Sequence, residues 1–220
     1  MNAKGRVTPR AAGTALLATG FAAALLSGCA AAEPTGAPAP GRGVEEFTDA
    51  FVGLSADYNP IAEPAVLAAE SSVVIRGTIT SVGQGRTYAY GPDDPAANTA
   101  IVLEVAVESV EAGQLTPSDR VFVELPSPGG RPADYYAARL PADLPAVMYL
   151  DEATVMDGDV LDATAGRPAG YPIYRPSSPQ GLLVESPAGV SRLIEAVDVE
   201  GATLDDVVPS SPAFPEQLID

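Results

Sequence analysis

Histidine and tryptophan do not occur in this 220-residue chain, and cysteine and lysine occur once each, as Cys29 and Lys4. Without histidine there is no Ser–His–Asp triad, no imidazole general base and no histidine-ligated metal. With lysine confined to position 4, the chain cannot supply a GxxxxGK[ST] phosphate loop or the Ser–Lys pair of an SxxK nucleophile. Gly83 and Gly85 share the spacing that opens a dinucleotide fingerprint, but its third glycine is missing. The Asp-Thr/Ser-Gly sequence of aspartic proteases is missing too. A single cysteine forms no intramolecular disulfide, so stability must come from a hydrophobic core. Carboxylate, tyrosine and arginine chemistry remain. No residue is marked as catalytic, cofactor-binding or metal-ligating, so the chain reads as a non-enzyme that needs no cofactor.

What is present at the start is an address. Lys4, Arg6 and Arg10 precede a run of sixteen residues from Ala11 to Leu26, mostly alanine and leucine, with no acidic residue before Cys29. A membrane span needs about 20 strongly apolar residues. The run is too short to stay in the bilayer and fits the apolar segment of a secretory signal. At its end Leu26, Ser27, Gly28 and Cys29 resemble the lipobox of bacterial lipoproteins at all four positions. The resemblance implies cleavage between Gly28 and Cys29 and lipidation of the Cys29 thiol. It also implies an extracytoplasmic protein anchored to the bacterial cell membrane. Two or three acyl chains would make that anchor stable, where a single chain holds only weakly.

Residues 30–43, AAAEPTGAPAPGRG, lack the apolar side chains that offset the entropy of ordering. The expected organisation is a signal peptide over 1–28, a tether over 29–45, a β-rich globular domain over 46–208 and a flexible C-terminal tail over 209–220. The full chain has a formal net charge of −17. Without residues 1–28 it keeps nine arginines against 29 acidic residues, a net charge of −20. That surface repels phosphate backbones, whose binding needs a positive patch, so nucleic acid is not an expected partner. It also repels anionic headgroups, which leaves the lipid on Cys29 as the route to the membrane.

Two short helices open the domain. Phe47, Phe51 and Leu54 recur at spacings of four and three, ended by Tyr58, Asn59 and Pro60. Pro64 stands in the first turn of AVLAAES, where its missing N–H costs little. Strand patterns follow. Val73, Ile75, Gly77 and Ile79 share one face, then Gly83–Gly85 interrupts, and 86–97 reads as a long exposed loop. Ile101, Leu103, Val105 and Val107 point one way with Glu104 and Glu108 opposite, ending at Gly113. RVFVELP places Val121, Val123 and Leu125 inward, and a loop-like stretch holds Tyr135 and Tyr136.

PAVMYLDEA is nearly continuous in apolar character, as expected of a strand covered on both faces. Asp157 and Gly158 offer a turn before VLDA. QGLLVES and VSRLIEAV flank Pro187, Ala188 and Gly189 as a hairpin, and Thr203 caps a last small helix. Six or seven strands joined by Gly/Pro turns predict a mainly β fold, a single OB-like barrel or a β-sandwich with short peripheral helices. The order of elements over 62–195 is similar to secreted bacterial domains with an OB-like barrel, a fold that does not fix a function.

Three groups are candidates for binding. Asp151, Glu152, Asp157, Asp159 and Asp162, and separately Asp93, Asp94 and Asn98, are oxygen-rich, but neither group follows calcium-loop spacing and turn formation accounts for both. Tyrosines 88, 90, 135, 136, 171 and 174 fall in or beside predicted loops, where they either cap the barrel ends or form a recognition surface. Arg175, next to Tyr174, is the arginine to test first on such a surface. The expected function is a non-catalytic binding or interaction domain with a possible envelope-protein partner. The alternatives are a solute-binding receptor of a membrane transporter and a carboxylate-based hydrolase.

Overall fold

The computed structural model describes residues 42–219 apart from 55, 56, 92, 118 and 155–159. Cys29, the expected signal peptide and most of the expected tether therefore lie outside the described residues, as does the turn expected at Asp157–Gly158. The described residues belong to one compact unit, spanning 37–220.

Eight strands form one sheet: β1 (Val73–Tyr88), β2 (Asn98–Gly113), β3 (Arg120–Leu125), β4 (Leu144–Glu152), β5 (Tyr174–Pro176), β6 (Leu182–Ser186), β7 (Gly189–Arg192) and β8 (Val197–Glu200). Antiparallel pairings join β1 to β2, β2 to β3, β4 to β5 and β1 to β4, and a parallel pairing joins β3 to β5. These five contacts close a five-stranded ring in the order β1-β2-β3-β5-β4, the OB-like arrangement among the expected folds. Beyond the ring, β4 also pairs with β6, which continues through β7 to β8 as an antiparallel meander.

Alternation along the strands produces two cores. The barrel interior takes Val73, Ile75 and Ile79 of β1, Leu103 and Val105 of β2, Val121, Val123 and Leu125 of β3, and Met148 and Leu150 of β4. Helix α1 (Arg42–Asp49) adds Phe47, and the turn after it adds Phe51, which packs against Tyr136 with ring centroids 5.1 Å apart. The alternate residues Val74, Val147, Tyr149, Leu183, Val190 and Val199 point the other way. They meet Leu67 of helix α2 (Pro64–Ala69) and Leu204, Val207, Phe214 and Leu218. β4 is thus covered on both faces, which explains its unbroken apolar run.

Several boundaries differ from the sequence reading, each for a packing reason. Helix α1 begins at Arg42, inside the expected tether, because its next turns carry the phenylalanines of the core. β1 does not stop at Gly83–Gly85 but runs on to Tyr88. A Cβ on Gly85 would lie 3.0 Å from the Ala100 carbonyl oxygen, so glycine here lets β1 stay close to β2 rather than ending the strand. Tyr135 and Tyr136 stand on a short helix, α3 (Ala133–Ala137), and not in a loop. The segment VSRLIEAV is two strands, since Glu195 and Ala196 adopt positive φ (76° and 51°) and turn β7 into β8. The expected tail is packed: Phe214 and Leu218 are buried, and the Phe214 N–H donates to the Ala62 carbonyl at 2.9 Å. Finally, β5 was not foreseen at all, although it closes the barrel.

Candidate functional site

β3 and β5 run parallel and share a single register pair, Val123 with Tyr174. Past that bridge the two chains diverge. Between them opens a cleft of about 540 Å3, with residues 124–126 on one wall and 175–179 on the other, completed by Leu54, Tyr88, Asn98, Ala100 and Ile194. Leu54, Ala100, Leu125, Ile194 and the rings of Pro126, Pro176 and Pro179 make most of the lining apolar. Pockets that hold small ligands are typically about 300 to 1,000 Å3 and mostly apolar with a few placed polar groups.

The polar groups are of two kinds, spent and unspent. Glu124 is buried and faces Arg86, whose side chain is only 2% exposed. Arg86 Nε donates to Glu124 Oε2 at 2.9 Å and Nη2 donates to Oε1 at 2.7 Å, a two-pronged pair, while the Arg86 backbone N–H adds a third bond at 3.3 Å. The Tyr88 hydroxyl also donates to Glu124 Oε1. Burial alone would raise the Glu124 pKa, but the hydrogen bonds from Arg86 and Tyr88 and the guanidinium charge outweigh it and hold the carboxyl below its usual range. The bond to Glu124 pushes the Arg86 pKa up, with burial acting against it. Burial, reinforced by Glu124, pushes the Tyr88 phenol up to about 12. Glu124 is therefore an ionised and neutralised carboxylate. Two more hydroxyls in the lining are also engaged: Ser177 Oγ bonds with Ser71 Oγ and the Tyr149 carbonyl, and Ser178 Oγ accepts from the Gln180 N–H.

Arg175 is exposed on β5 and makes no ion pair or side-chain hydrogen bond with any described residue. It differs in this from every other arginine whose side chain is described. Arg76, Arg86, Arg120 and Arg192 pair with carboxylates, and Arg131, Arg139 and Arg167 donate to tyrosine or backbone oxygens. Asp151, opposite Arg175 in the β4–β5 register, accepts instead from the Ser72 N–H and hydroxyl, both at 2.9 Å. The arginine singled out in the sequence thus stands at the cleft with no described partner for its donors.

The other sequence candidates are divided by the fold. Tyr136 and Tyr174 are core residues, and Tyr171 packs edge-on against Phe122 on the outer face of β3. Tyr135 lies under Arg131 and Arg139, whose guanidinium carbons are 4.4 and 3.7 Å from its ring centroid. Of the six, Tyr88 lines the cleft and Tyr174 stands at the bridge from which it opens, whereas the exposed Tyr90 is not part of the lining. The carboxylates act as turn residues: Asp94 accepts from the Tyr90 and Ala96 N–H groups at 2.8 Å each, and Asp162 from Thr164. Asp157 and Asp159 lie outside the described residues, and no cluster of three or more potential metal ligands occurs among the described ones.

Sequence reasoning missed Arg86 and Glu124, placing the first in a loop and the second on a generic strand. One signal was available: Glu124 interrupts the apolar run Val121–Leu125 at a position where Phe122 had already shown the outer face to be covered. That outer face is roofed by the β4–β5 connection, with Ile173 and Tyr171 against Phe122 and Val102. A Cβ on Gly166 would fall 2.6 Å from Val102 Cγ2, so the roof depends on a glycine with φ of +82°. Compared with protein-family profiles, with characterised proteins and with solved structures, the chain matches none.

Proposed function

We propose that this protein is a lipid-anchored bacterial envelope lipoprotein whose β-barrel is a non-catalytic binding domain. The cleft between β3 and β5 carries the binding half of that reading: its volume suits a small ligand, its lining is mostly apolar, and Arg175 is a charged group of that lining with no partner among the described residues. The anchoring half rests on Leu26-Ser27-Gly28-Cys29 and the charged, then apolar, segment before it. No described helix is long and apolar enough to cross a membrane. Binding is favoured over catalysis because Glu124, the carboxylate in the cleft, is held ionised, which unsuits it as a general acid, and has both oxygens engaged by Arg86 and Tyr88, which unsuits it as a general base.

A second reading, a solute-binding receptor for a membrane transporter, draws on the same cleft. Such receptors usually close two lobes around their ligand, and the described residues form one unit. Intact-mass analysis of the membrane fraction tests the anchor. Wild type is expected there with diacylglyceryl and acyl mass on Cys29, and Cys29→Ala is expected in the soluble fraction at the unmodified mass. An unmodified Cys29 in membrane-extracted protein would remove the lipoprotein assignment.

A further inference from the structure

We propose that the β3–β5 cleft binds a small molecule with an apolar body and a single carboxylate, and that Arg175 holds the carboxylate. The inference rests on the reading of the barrel as a binding domain and adds the chemistry of the ligand.

Charge is the first argument. Glu124 and Arg86 cancel one another inside the wall, so the cleft's remaining formal charge is the one on Arg175. In a chain of net charge −17, a cation left without a described carboxylate partner at the edge of a mostly apolar hollow is unusual. It also fixes the number of charges. One guanidinium balances one carboxylate; a phosphate would leave a second negative charge beside Glu124, with no described cation to meet it. At physiological ionic strength the distant acidic residues are screened beyond about 8 Å, so the local arginine decides what binds.

Hydrogen-bonding capacity is the second. Ser177 is engaged with Ser71 and the Tyr149 carbonyl, and Tyr88 gives its proton to Glu124. That leaves the Arg175 guanidinium, the exposed Asn98 amide and the Ser178 hydroxyl, whose oxygen accepts from the Gln180 N–H, as the side-chain donors of the lining without a described acceptor, and only the first of these is charged. An added peptide strand would need backbone N–H groups along the walls, but Pro126, Pro176 and Pro179 have none. The walls instead offer flat apolar rings to a hydrocarbon or aromatic body. A second hollow, of about 530 Å3 and lined by Glu108, Glu185 and Arg76, provides a contrast. Its arginine is paired with Asp205 and lies 3.8 Å from Glu111, so no cation there is free for a ligand.

The test uses the full-length chain in detergent and 19F NMR titration with 3-(4-fluorophenyl)propionate and with its neutral amide. Wild type is expected to bind the carboxylate saturably. The amide, and the carboxylate with Arg175→Gln, are expected to bind about fivefold to tenfold more weakly, with Arg175→Lys between the two. Partition into micelles is the same for all protein variants, and titration of each probe into protein-free detergent subtracts the difference between acid and amide. Equal binding of acid and amide, unchanged in Arg175→Gln, would overturn the carboxylate assignment and leave the cleft as a binding site. Absence of saturable binding by either probe would overturn both.

Discussion

The barrel is closed by two seams of very different construction. Where β1 meets β4, seven consecutive register pairs run from Val73–Leu150 to Ile79–Leu144. Where β3 meets β5, there is one. The first seam turns Val73, Ile75 and Ile79 into the barrel interior, and its ladder is unbroken, the hollow beside Arg76 and Pro145 lying on its outer face. At the second, the backbones separate immediately past Val123 and Tyr174, and a buried ion pair and an open cleft stand where a ladder would continue. A barrel needs its seams for stability but tolerates one being short, and the short one is where a ligand can enter between strands. The polar cluster takes over part of the work: Arg86 at the far end of β1 reaches Glu124, one residue beyond the bridge on β3.

Breaking that cluster is expected to have the largest effect. Glu124→Ala strands the Arg86 guanidinium in a site where it is 2% exposed. Removing one partner of a buried pair typically costs about 3 to 5 kcal/mol, whereas replacing both partners by apolar residues is often close to neutral. Urea denaturation of Glu124→Ala and of Arg86→Met/Glu124→Leu measures the difference. The single variant should unfold at a much lower midpoint and the double variant near wild type. If the double variant were as unstable as the single one, the pair would be supplying something a well-packed apolar contact cannot.

The same cluster gives the weak seam a pH dependence at both ends. The Glu124 pKa is lower in the folded protein than its ordinary 4.5, so the unfolded chain binds more protons and stability rises with pH in that window. The contribution is complete above 4.5 and is lost as pH falls through the folded value. Tyr88 works in the opposite direction, its pKa being raised from 10.0 to about 12. Its contribution is complete below 10 and is lost as pH rises toward 12. Thermal midpoints across pH should therefore fall less steeply in acid for Glu124→Gln and less steeply in alkali for Tyr88→Phe than for wild type. Asp94, Asp119 and Asp206, whose pKa values are also lowered, titrate in both proteins and cancel between them. Parallel curves for Glu124→Gln and wild type below pH 4.5 would show that the ion pair is not the source of the acid arm.

The strong seam was legible in the sequence and the weak one was not, for a physical reason. β1, β2 and β3 send alternate apolar residues into the barrel, so Val73–Ile79, Ile101–Val105 and Val121–Leu125 declare themselves by period, and β4, buried on both faces, by its unbroken apolar run. β5 is three residues, Tyr174–Pro176, too short for any period and carrying a proline. Its position is fixed by what it docks against, a long-range fact with no local trace. The same holds for the cleft. Arg175 could be picked out beside Tyr174 as an arginine worth testing, but its freedom from partners follows from where Asp151 and Ser72 sit. Arg86 reads as a loop residue because Gly83 and Gly85 read as breakers, whereas β1 runs through both and Gly85 lets it stay close to β2.

The smallest expected effect sharpens the comparison most. Arg175 is exposed and contacts no described partner, so Arg175→Ala should change unfolding free energy by about 0.5 kcal/mol or less, the usual range for a surface substitution. Native-state hydrogen exchange on the same variant separates the seams. Backbone N–H groups of Val73–Ile79 are expected to exchange only through global unfolding, while those of Tyr174 and Arg175 exchange through local opening at much lower free energy, in wild type and variant alike. A ligand bound across the cleft would slow exchange on β5 without touching β1. Protection of β5 equal to that of β1 in the unliganded protein would mean that one bridge to β3 and three pairs to β4 hold it as firmly as the long ladders hold β1, and a cleft dependent on local give at β5 would then have no opening motion to use.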